Sequence, residues 1–357
     1  MNRVGAGPVR PEYRCSAPDP GRSPDDREAV IDATWWRWAR LLVGALVLAA
    51  LVVALGTGPF LDALRATNVR ALAAGAVIAL LTTLCGAWRW RLVAHRLGAD
   101  LTLTSALASC YRAQFLNATL PGGVLGDVGR GVQHGRTGGD VGRGLRGVAW
   151  ERTTGQVVLA VLAAVALVVA RPFDLPRLGG TSAAVVVAVL VAVGAAVAVA
   201  GRMRGHRATR WWHTVAADLR ALGHGPAPVG IVVASVAAVA GHVAVFVLAA
   251  RTVGVRTPVL ELLPLALVVL VVSAVPLNLA GWGPREGAAA WVFAAAGLGA
   301  ATGLATAVAF GAIAFVGTLP GAALLLAGRL RRQRPVEPAP ALVGPPRLDA
   351  VGGGRRE

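Results

Sequence analysis

Residues 230–250 read GIVVASVAAVAGHVAVFVLAA, an apolar run in which His242 is the only ionisable residue. A run of about 20 apolar residues has the length that an α-helix needs to cross the hydrocarbon core of a bilayer. Similar runs recur along the chain, and they are continuous, whereas the strands of a membrane barrel alternate in hydrophobicity. The pattern therefore predicts helices that span a membrane.

The composition of the whole chain agrees with this interpretation. Of its 357 residues, 55% are hydrophobic and 15% are charged, and the mean hydropathy is +0.63. Soluble domains are typically about 45–50% apolar. We therefore predict an all-α fold, a polytopic membrane helix bundle.

Seven apolar runs are long enough to be full spans, and two shorter runs are interpreted as re-entrant or interrupted helices. The predicted full spans are residues 41–56, 70–88, 153–170, 182–200, 230–250, 258–277 and 302–326. The short runs are residues 102–116 and 287–298. If residues 287–298 cross the membrane, about eight crossings result.

The ends of the chain differ from the apolar part. Residues 1–34 are rich in proline and mixed charge, which predicts a disordered leader. This leader has no apolar core, so it is not expected to be a cleavable signal peptide. Residues 35–328 form the predicted transmembrane domain, and residues 329–357 a disordered cytoplasmic tail.

The chain carries 35 basic and 18 acidic residues, a net charge of +17, and every basic residue is arginine. In a bundle this apolar, basic loops indicate contact with anionic lipid head groups and the positive-inside bias, rather than binding of nucleic acid. Arginines flank the first and last spans, which predicts that both termini are cytoplasmic. Arg89, Arg91, Arg96 and the linkers 130–146 and 202–220 are expected on the same side.

Aromatic residues mark the predicted membrane interface. Trp88, Trp90 and Trp150 lie at or near span ends, where indole rings prefer the head-group region. Residues 206–222 have the pattern of an amphipathic helix on the membrane surface, with Trp211 on its apolar side. A solvated connector is the alternative for this segment.

The sequence offers little support for a metal, a cofactor or ATP hydrolysis. The three cysteines are scattered and form no metal-ligand spacing. The chain has no lysine, so it has no Walker A lysine and we expect no ATPase activity. Residues 142–147 match GxGxxG, but no strand is predicted before them, so no dinucleotide is expected.

Two polar stretches interrupt the apolar pattern. The first is FLNATLPGGVLGDVGRGVQHGRTGGDVGRGLRGVAWERTTGQ at residues 115–156, and the second is PLNLAGWGPREG at residues 276–287. Polar sequence at membrane depth is tolerated where protein or a water-filled cavity receives it. Asn117 and Asn278 each end an apolar segment just before a glycine-rich turn. This likeness indicates a binding site between structural repeats, with chance similarity as the alternative.

Four motifs in order, LNxxLPGGxxGD at 116–127, WER at 150–152, GWGPREG at 281–287 and TLPG at 318–321, resemble the lysylphosphatidylglycerol synthase transmembrane-region family. The resemblance covers about residues 37–329. It implies an integral membrane protein that translocates an anionic, aminoacylated or isoprenoid- or glycan-linked lipid. It does not extend to the aminoacyl-transferase domain of full-length synthases, so lipid aminoacylation is not expected.

The resemblance also marks candidate site residues. Its motif positions, with Asn278 added from the repeat, are Asn117, Pro121, Gly122, Gly123, Asp127, Arg130, Glu151, Arg152, Asn278, Arg285 and Glu286. Arginine suits bidentate contacts with a lipid phosphate, and the acidic residues would hold the arginines while the site is empty. The alternative is that the Glu–Arg neighbours are structural ion pairs at helix ends. His242 is either a proton relay or an interhelical hydrogen-bonding group.

The leading hypothesis is a flippase or scramblase of the plasma membrane that acts on a phospholipid or a polyprenyl-linked lipid. One alternative is a membrane enzyme that modifies a lipid-linked substrate, with Asp127 or Glu151 as general base. Another is an accessory subunit of a separate lipid synthase or glycosyltransferase.

Overall fold

The computed structural model describes residues 49–120, 123–170, 206–274 and 282–333, together with residues 42, 45 and 46. In this part of the chain the regular secondary structure is α-helix. The helices are α1 Ala49–Leu55, α2 Gly58–Ala66, α3 Val69–Arg96, α4 Leu103–Thr119, α5 Leu125–Thr137, α6 Val141–Ala170, α7 His206–Gly223, α8 Ala227–Thr252, α9 Val259–Ser273, α10 Pro284–Ala295 and α11 Ala300–Gln333.

The prediction of a helical membrane bundle is confirmed. Helices α3, α6, α8 and α11 are long and apolar enough to cross a membrane, and α1 and α2, bent by 95° at their junction, would form a fifth span if counted together. Helix α8 begins three residues before the predicted span 230–250. The predicted span 182–200 lies outside the described residues, so the total of eight crossings stays a prediction.

Three predicted boundaries are wrong. Helix α11 continues to Gln333, beyond the predicted span end at residue 326 and into the predicted disordered tail. Helix α3 continues beyond Trp88 to Arg96, and α6 begins at Val141, well before the predicted start at residue 153. The supposed linker 130–146 is therefore mostly helical, as the end of α5 and the start of α6. Arg130 pairs inside the bundle, and Arg143 and Arg146 form partly exposed pairs with Asp140 and Asp218, so the helices continue beyond the apolar residues.

Asp140 fixes the beginning of α6. Its carboxylate accepts a hydrogen bond from the backbone N–H of Arg143 at 2.9 Å, as a helix-capping residue does. This hydrogen bond, together with the nearby Arg143 guanidinium, holds the pKa of Asp140 below its usual value. The capped turn directs α6 back along α5.

The main apolar core lies between helices α8, α9, α10 and α11. Phe246 of α8 contacts Phe293 of α10 and Phe310 of α11, with ring centroids 6.2 and 5.9 Å apart. Helix α3 packs along α8, and α11 contacts α3, α4 and α10. Trp90 is only 1% exposed, so its ring packs inside the bundle and does not contact lipid head groups, while its depth in the membrane stays a prediction.

The outer surface of α6 is apolar along one side. Its exposed side chains follow one helical stripe and are Val157, Val161, Val165 and Val168. Leu159 and Ala163, on the other side, are buried. A stripe of exposed valines on a long helix suits contact with lipid tails, since a soluble monomer rarely exposes such a surface.

The amphipathic segment is a helix, α7, and it is attached to α6. Asp218 is buried and accepts hydrogen bonds from Arg146 Nε at 3.1 Å and Trp150 Nε1 at 3.0 Å. Trp211 and Leu219 are exposed. Contact of these side chains with the membrane surface stays a prediction.

Candidate functional site

Helices α4 and α5 form a hairpin whose turn is tied by Asn117. The Asn117 side-chain oxygen accepts a hydrogen bond from the backbone N–H of Gly126 at 2.8 Å, and its nitrogen donates to Asp127 Oδ2 at 2.9 Å. Gly126 lies directly against the backbone of Ala113, where a methyl group would overlap it. The hairpin therefore places Asp127 in the first turn of α5, beside the end of α4.

Glycines also allow α5 and α6 to approach closely. A methyl group at Gly144 would overlap the backbone of Gly131 and Gly135. Small residues of this kind let membrane helices make backbone contact. The glycines of the GxGxxG pattern thus belong to a helix, and Gly144 serves packing.

Five charged side chains meet where these helices converge: Arg89, Asp127, Arg130, Glu151 and Arg152, here called the three-arginine cluster. Arg130 donates from Nε to Asp127 Oδ1 at 2.9 Å and from Nη2 to Glu151 Oε2 at 2.6 Å. Arg152 Nη2 lies 2.6 Å from Asp127 Oδ2, and Arg89 Nε donates to Glu151 Oε1 at 3.1 Å. The cluster links α3, α5 and α6.

Further contacts hold the arginines from the other side. The Arg130 guanidinium lies over the ring of Trp90, 4.5 Å from the centroid, and its Nη1 is 3.5 Å from Cys110 Sγ. Arg89 Nη1 donates to Ser235 Oγ of α8 at 3.1 Å. Helices α4 and α8 therefore also contribute to the cluster, so that its arrangement depends on the packing of five helices.

The cluster has a net charge of +1, because three guanidiniums face two carboxylates. Arg130 and Glu151 are 5% and 3% exposed. An unpaired charge in such surroundings is strongly destabilising, whereas a paired and hydrogen-bonded one is tolerated. The two carboxylates therefore stabilise a positive site that could not persist without them.

A cavity of about 790 Å³ adjoins the cluster. Its walls come from helices α3 to α6, α8, α9 and α11, and most of its lining is small or apolar. The polar residues that line it are Thr82, Thr83, Gln114, Asn117, Asp127, Arg152, Gln156, His242, Ser273 and Thr318. The Arg152 side chain is 46% exposed, against 11% for Arg89 and 4% for Arg130. Arg152 is therefore the arginine that the cluster presents to the cavity.

The second polar stretch forms a smaller and more local structure. Glu286 accepts from Arg285 Nε at 2.8 Å and from the backbone N–H of Gly283 at 2.6 Å, which caps α10. The Arg285 guanidinium lies 5.4 Å from the Trp282 ring centroid and 5.5 Å from that of Phe310. This pair is electrically neutral and closes a helix end.

The predicted site residues fall into three groups. Those that line the cavity are Asn117, Gly123, Asp127 and Arg152. Arg130 and Glu151 lie behind the cavity wall, in the cluster. Arg285 and Glu286 are not among the described residues that line the cavity, and Pro121, Gly122 and Asn278 lie outside the described residues. The comparison of Asn117 with Asn278 as repeat positions stays a prediction.

Sequence reasoning missed Arg89 and Gln156. Arg89 was expected in a cytoplasmic linker because it follows the predicted end of a span at residue 88. The linker is wrong, since Arg89 lies within α3 and pairs with Glu151, while its side of the membrane stays a prediction. The sequence does contain a signal for the position of Arg89. It follows Thr82, which lines the cavity, by two helical turns, and residues at this spacing lie on the same face of a helix. Gln156 likewise follows Arg152 by one turn, which places both at the cavity.

Within the described ranges, no group of three His, Cys, Asp or Glu side chains is placed to hold a metal ion. The long apolar helices define a multi-pass integral membrane protein, with a charged cluster beside a cavity between its helices. The model of the lysylphosphatidylglycerol synthase TM region family matches residues 37–321, and the chain belongs to this family. No curated protein and no solved structure matches the chain. The protein is accordingly an integral membrane protein of lipid metabolism.

Proposed function

We propose that the protein is a flippase or scramblase that moves a phospholipid or polyprenyl-linked lipid across the plasma membrane without its own ATPase or other catalysis. The observation that carries this proposal is the half-exposed side chain of Arg152 on the wall of a cavity between the helices. Charged groups within membrane proteins usually mark a substrate pathway.

The charge arrangement supports a phosphate-binding role for Arg152. In the structure Arg152 Nη2 lies 2.6 Å from Asp127 Oδ2. A lipid phosphate offers oxygens that suit the planar fork of arginine and can replace this partner. Asp127 would then keep its hydrogen bonds to Arg130 and Asn117. The site could thus bind and release an anion without leaving a carboxylate unpaired.

The same contacts argue against general-base catalysis. Each oxygen of Asp127 and Glu151 accepts from at least one guanidinium nitrogen. A base must reach the proton it removes, and these carboxylates are committed to arginines. An enzymatic role for either residue is therefore the weaker hypothesis.

Transport can be measured with purified full-length protein in proteoliposomes that contain fluorescent lipids, using a membrane-impermeant quencher. We expect Arg152→Ala to reduce the rate at least about tenfold, as loss of a charge-assisted bidentate contact should. Arg152→Lys should transport little faster than Arg152→Ala, because lysine is a point charge without the planar fork of arginine. Arg329→Ala, at the exposed end of α11, is the matched control and should transport at the wild-type rate.

Other outcomes identify the alternatives. Normal transport by folded Arg152→Ala would refute the role of this arginine. A changed lipid mass after incubation would identify an enzyme. If the wild-type protein neither transports a lipid nor changes its mass, the remaining hypothesis is an accessory subunit of a separate lipid synthase or glycosyltransferase.

The orientation belongs to the same proposal. Arg37 and Arg40 precede the first predicted span, and several arginines follow the last predicted span 302–326, which supports a cytoplasmic location for both termini. Reporter fusions after Arg40 and after Arg334 test this. A signal from the outer face at either position would overturn the proposed topology.

A further inference from the structure

We infer that the cavity selects a singly anionic phosphodiester with a neutral, hydroxyl-bearing head group and discriminates against a head group that carries an ammonium. This inference rests on the proposed lipid-binding function and specifies its substrate class. Phosphatidylglycerol and polyprenyl phosphosugars both offer this chemistry.

The first step concerns the carboxylates, which an ammonium group would need as partners. Asp127 Oδ1 accepts from Arg130 at 2.9 Å, and Oδ2 accepts from Asn117 and Arg152 at 2.9 and 2.6 Å. Glu151 is similarly shared between Arg89 and Arg130. Asp127 is the sole acidic residue among the described residues that line the cavity. An ammonium would therefore meet no unpaired carboxylate here.

The second step concerns the net charge. The cluster carries +1, and it reaches the cavity through Arg152. One negative charge neutralises it, whereas a cationic head group would add to it in surroundings of low dielectric constant, where like charges repel strongly. His242 also lines the cavity, and a proton on its ring would only increase the positive charge.

The third step concerns the neutral polar groups around Arg152. Gln156 lines the cavity one helical turn away, and within the described residues its amide has no hydrogen-bond partner. Thr83 donates its hydroxyl proton to the Ala79 carbonyl at 2.6 Å, so the Gln114 amide, 3.2 Å from Thr83 Oγ, donates one N–H to that oxygen and keeps a second N–H to donate. Gly123 and Val124, at the N-terminus of α5, also line the wall, and a helix N-terminus adds partial positive charge. Such groups bind hydroxyls and phosphate oxygens.

The test compares three acyl- or tail-labelled lipids in proteoliposomes of the full chain. They are phosphatidylglycerol, its lysyl ester, and a polyprenyl phosphosugar. Phosphatidylglycerol and its lysyl ester differ by the added lysyl group, which changes the net charge from −1 to +1. We expect at least tenfold faster transport of phosphatidylglycerol or the phosphosugar than of the lysyl ester, and the faster of the two identifies the source. Equal rates, or faster transport of the lysyl ester, would overturn the inference.

A substitution can reverse the preference. Gln156→Glu adds one carboxylate at the cavity wall with little change in shape, so we expect slower transport of phosphatidylglycerol and a relative rate for the lysyl ester at least tenfold higher. Gln133→Glu makes the same chemical change on the exposed side of α5, away from the cavity, and should alter neither rate. An unchanged lipid preference in folded Gln156→Glu would contradict the inference.

A binding measurement separates this inference from the translocase proposal. Thermal stabilisation of the detergent-solubilised protein by each unlabelled lipid reports binding without transport. Selective stabilisation by the singly anionic lipids, without transport of any of them, would refute translocation and support the charge selectivity. Transport of all three lipids at one rate would support translocation and refute the selectivity.

Discussion

The three-arginine cluster and the Arg285–Glu286 pair occupy similar sequence contexts but differ in how they are built. The cluster joins side chains of α3, α5 and α6, which are up to 63 positions apart in the chain, from Arg89 to Arg152. The pair joins adjacent residues at the first turn of α10. The cluster has an excess positive charge and adjoins a cavity, whereas the pair is neutral and caps a helix. A glycine-rich motif with Arg and Glu is thus not by itself a binding site, and what distinguishes the cluster is the unbalanced charge beside open space.

The largest expected effect comes from removing one carboxylate charge from each region. It tests whether this change destabilises the three-arginine cluster more than the Arg285–Glu286 pair. Glu151→Gln leaves the guanidiniums of Arg89 and Arg130 without their shared anion, so we expect a loss of about 3–5 kcal/mol in the free energy of unfolding. Glu286→Gln should lose less, about 1–3 kcal/mol, because the amide oxygen can still cap α10 and Arg285 keeps its aromatic contacts.

Thermal or denaturant unfolding in detergent measures both variants. Transport adds a second comparison, since only Glu151→Gln should disturb Arg152 through the cluster. If both variants lose the same stability and the same transport rate, the two regions are equivalent and the contrast fails.

The next effect tests the close helix contacts that assemble the cluster. Gly126→Ala would force the backbone of α4 away from α5, and we expect a loss of about 1–3 kcal/mol in the free energy of unfolding. Gly129→Ala lies in the same helix with open space around it, so it should leave stability unchanged or raise it by about 0.4–1 kcal/mol. A loss of stability in Gly129→Ala equal to that in Gly126→Ala would contradict this prediction, because helix propensity favours alanine at both positions and only Gly126 lies against α4.

The smallest effect concerns the link from the cluster to α8. Ser235→Ala removes the hydroxyl that accepts from Arg89 Nη1 at 3.1 Å, and we expect a loss of about 1 kcal/mol in the free energy of unfolding. Ser273→Ala is the control. The hydroxyls of Ser235 and Ser273 each donate to a backbone carbonyl of their own helix, but of the two only Ser235 contacts an arginine. Equal losses of unfolding free energy in the two variants would show that the contact between Ser235 and Arg89 does not stabilise the cluster.

The fold could be predicted from sequence where apolar residues alone decide it. Helix α8 matches its predicted span closely, since 21 consecutive residues of the span carry a single ionisable group. The start of α6 could not be predicted in this way, because glycine and arginine between residues 125 and 152 lower the local apolar signal. Those glycines favour the helix pair only through contact with each other, and such contact depends on tertiary structure.

The candidate site was predictable only where its residues are close in sequence. Asp127 and Arg130 are three residues apart, so a helix brings them together. Glu151 and Arg152 are adjacent, and adjacent side chains on a helix point about 100° apart. Sequence alone could not decide that Glu151 is buried and that Arg152 faces the cavity. The pairing of Arg89 with Glu151 across 62 positions was also beyond local pattern.

The exclusive use of arginine in the cluster has an electrical consequence. Guanidinium groups keep their protons at every biological pH, so they supply a fixed positive charge. A singly anionic lipid would make the loaded site neutral, whereas the empty site stays positive. Moving one elementary charge across the membrane changes the free energy by about 2.3 kcal/mol per 100 mV. If the site alternates between the two faces of the membrane, voltage acts on the empty protein, and a negative interior favours its inward-facing state.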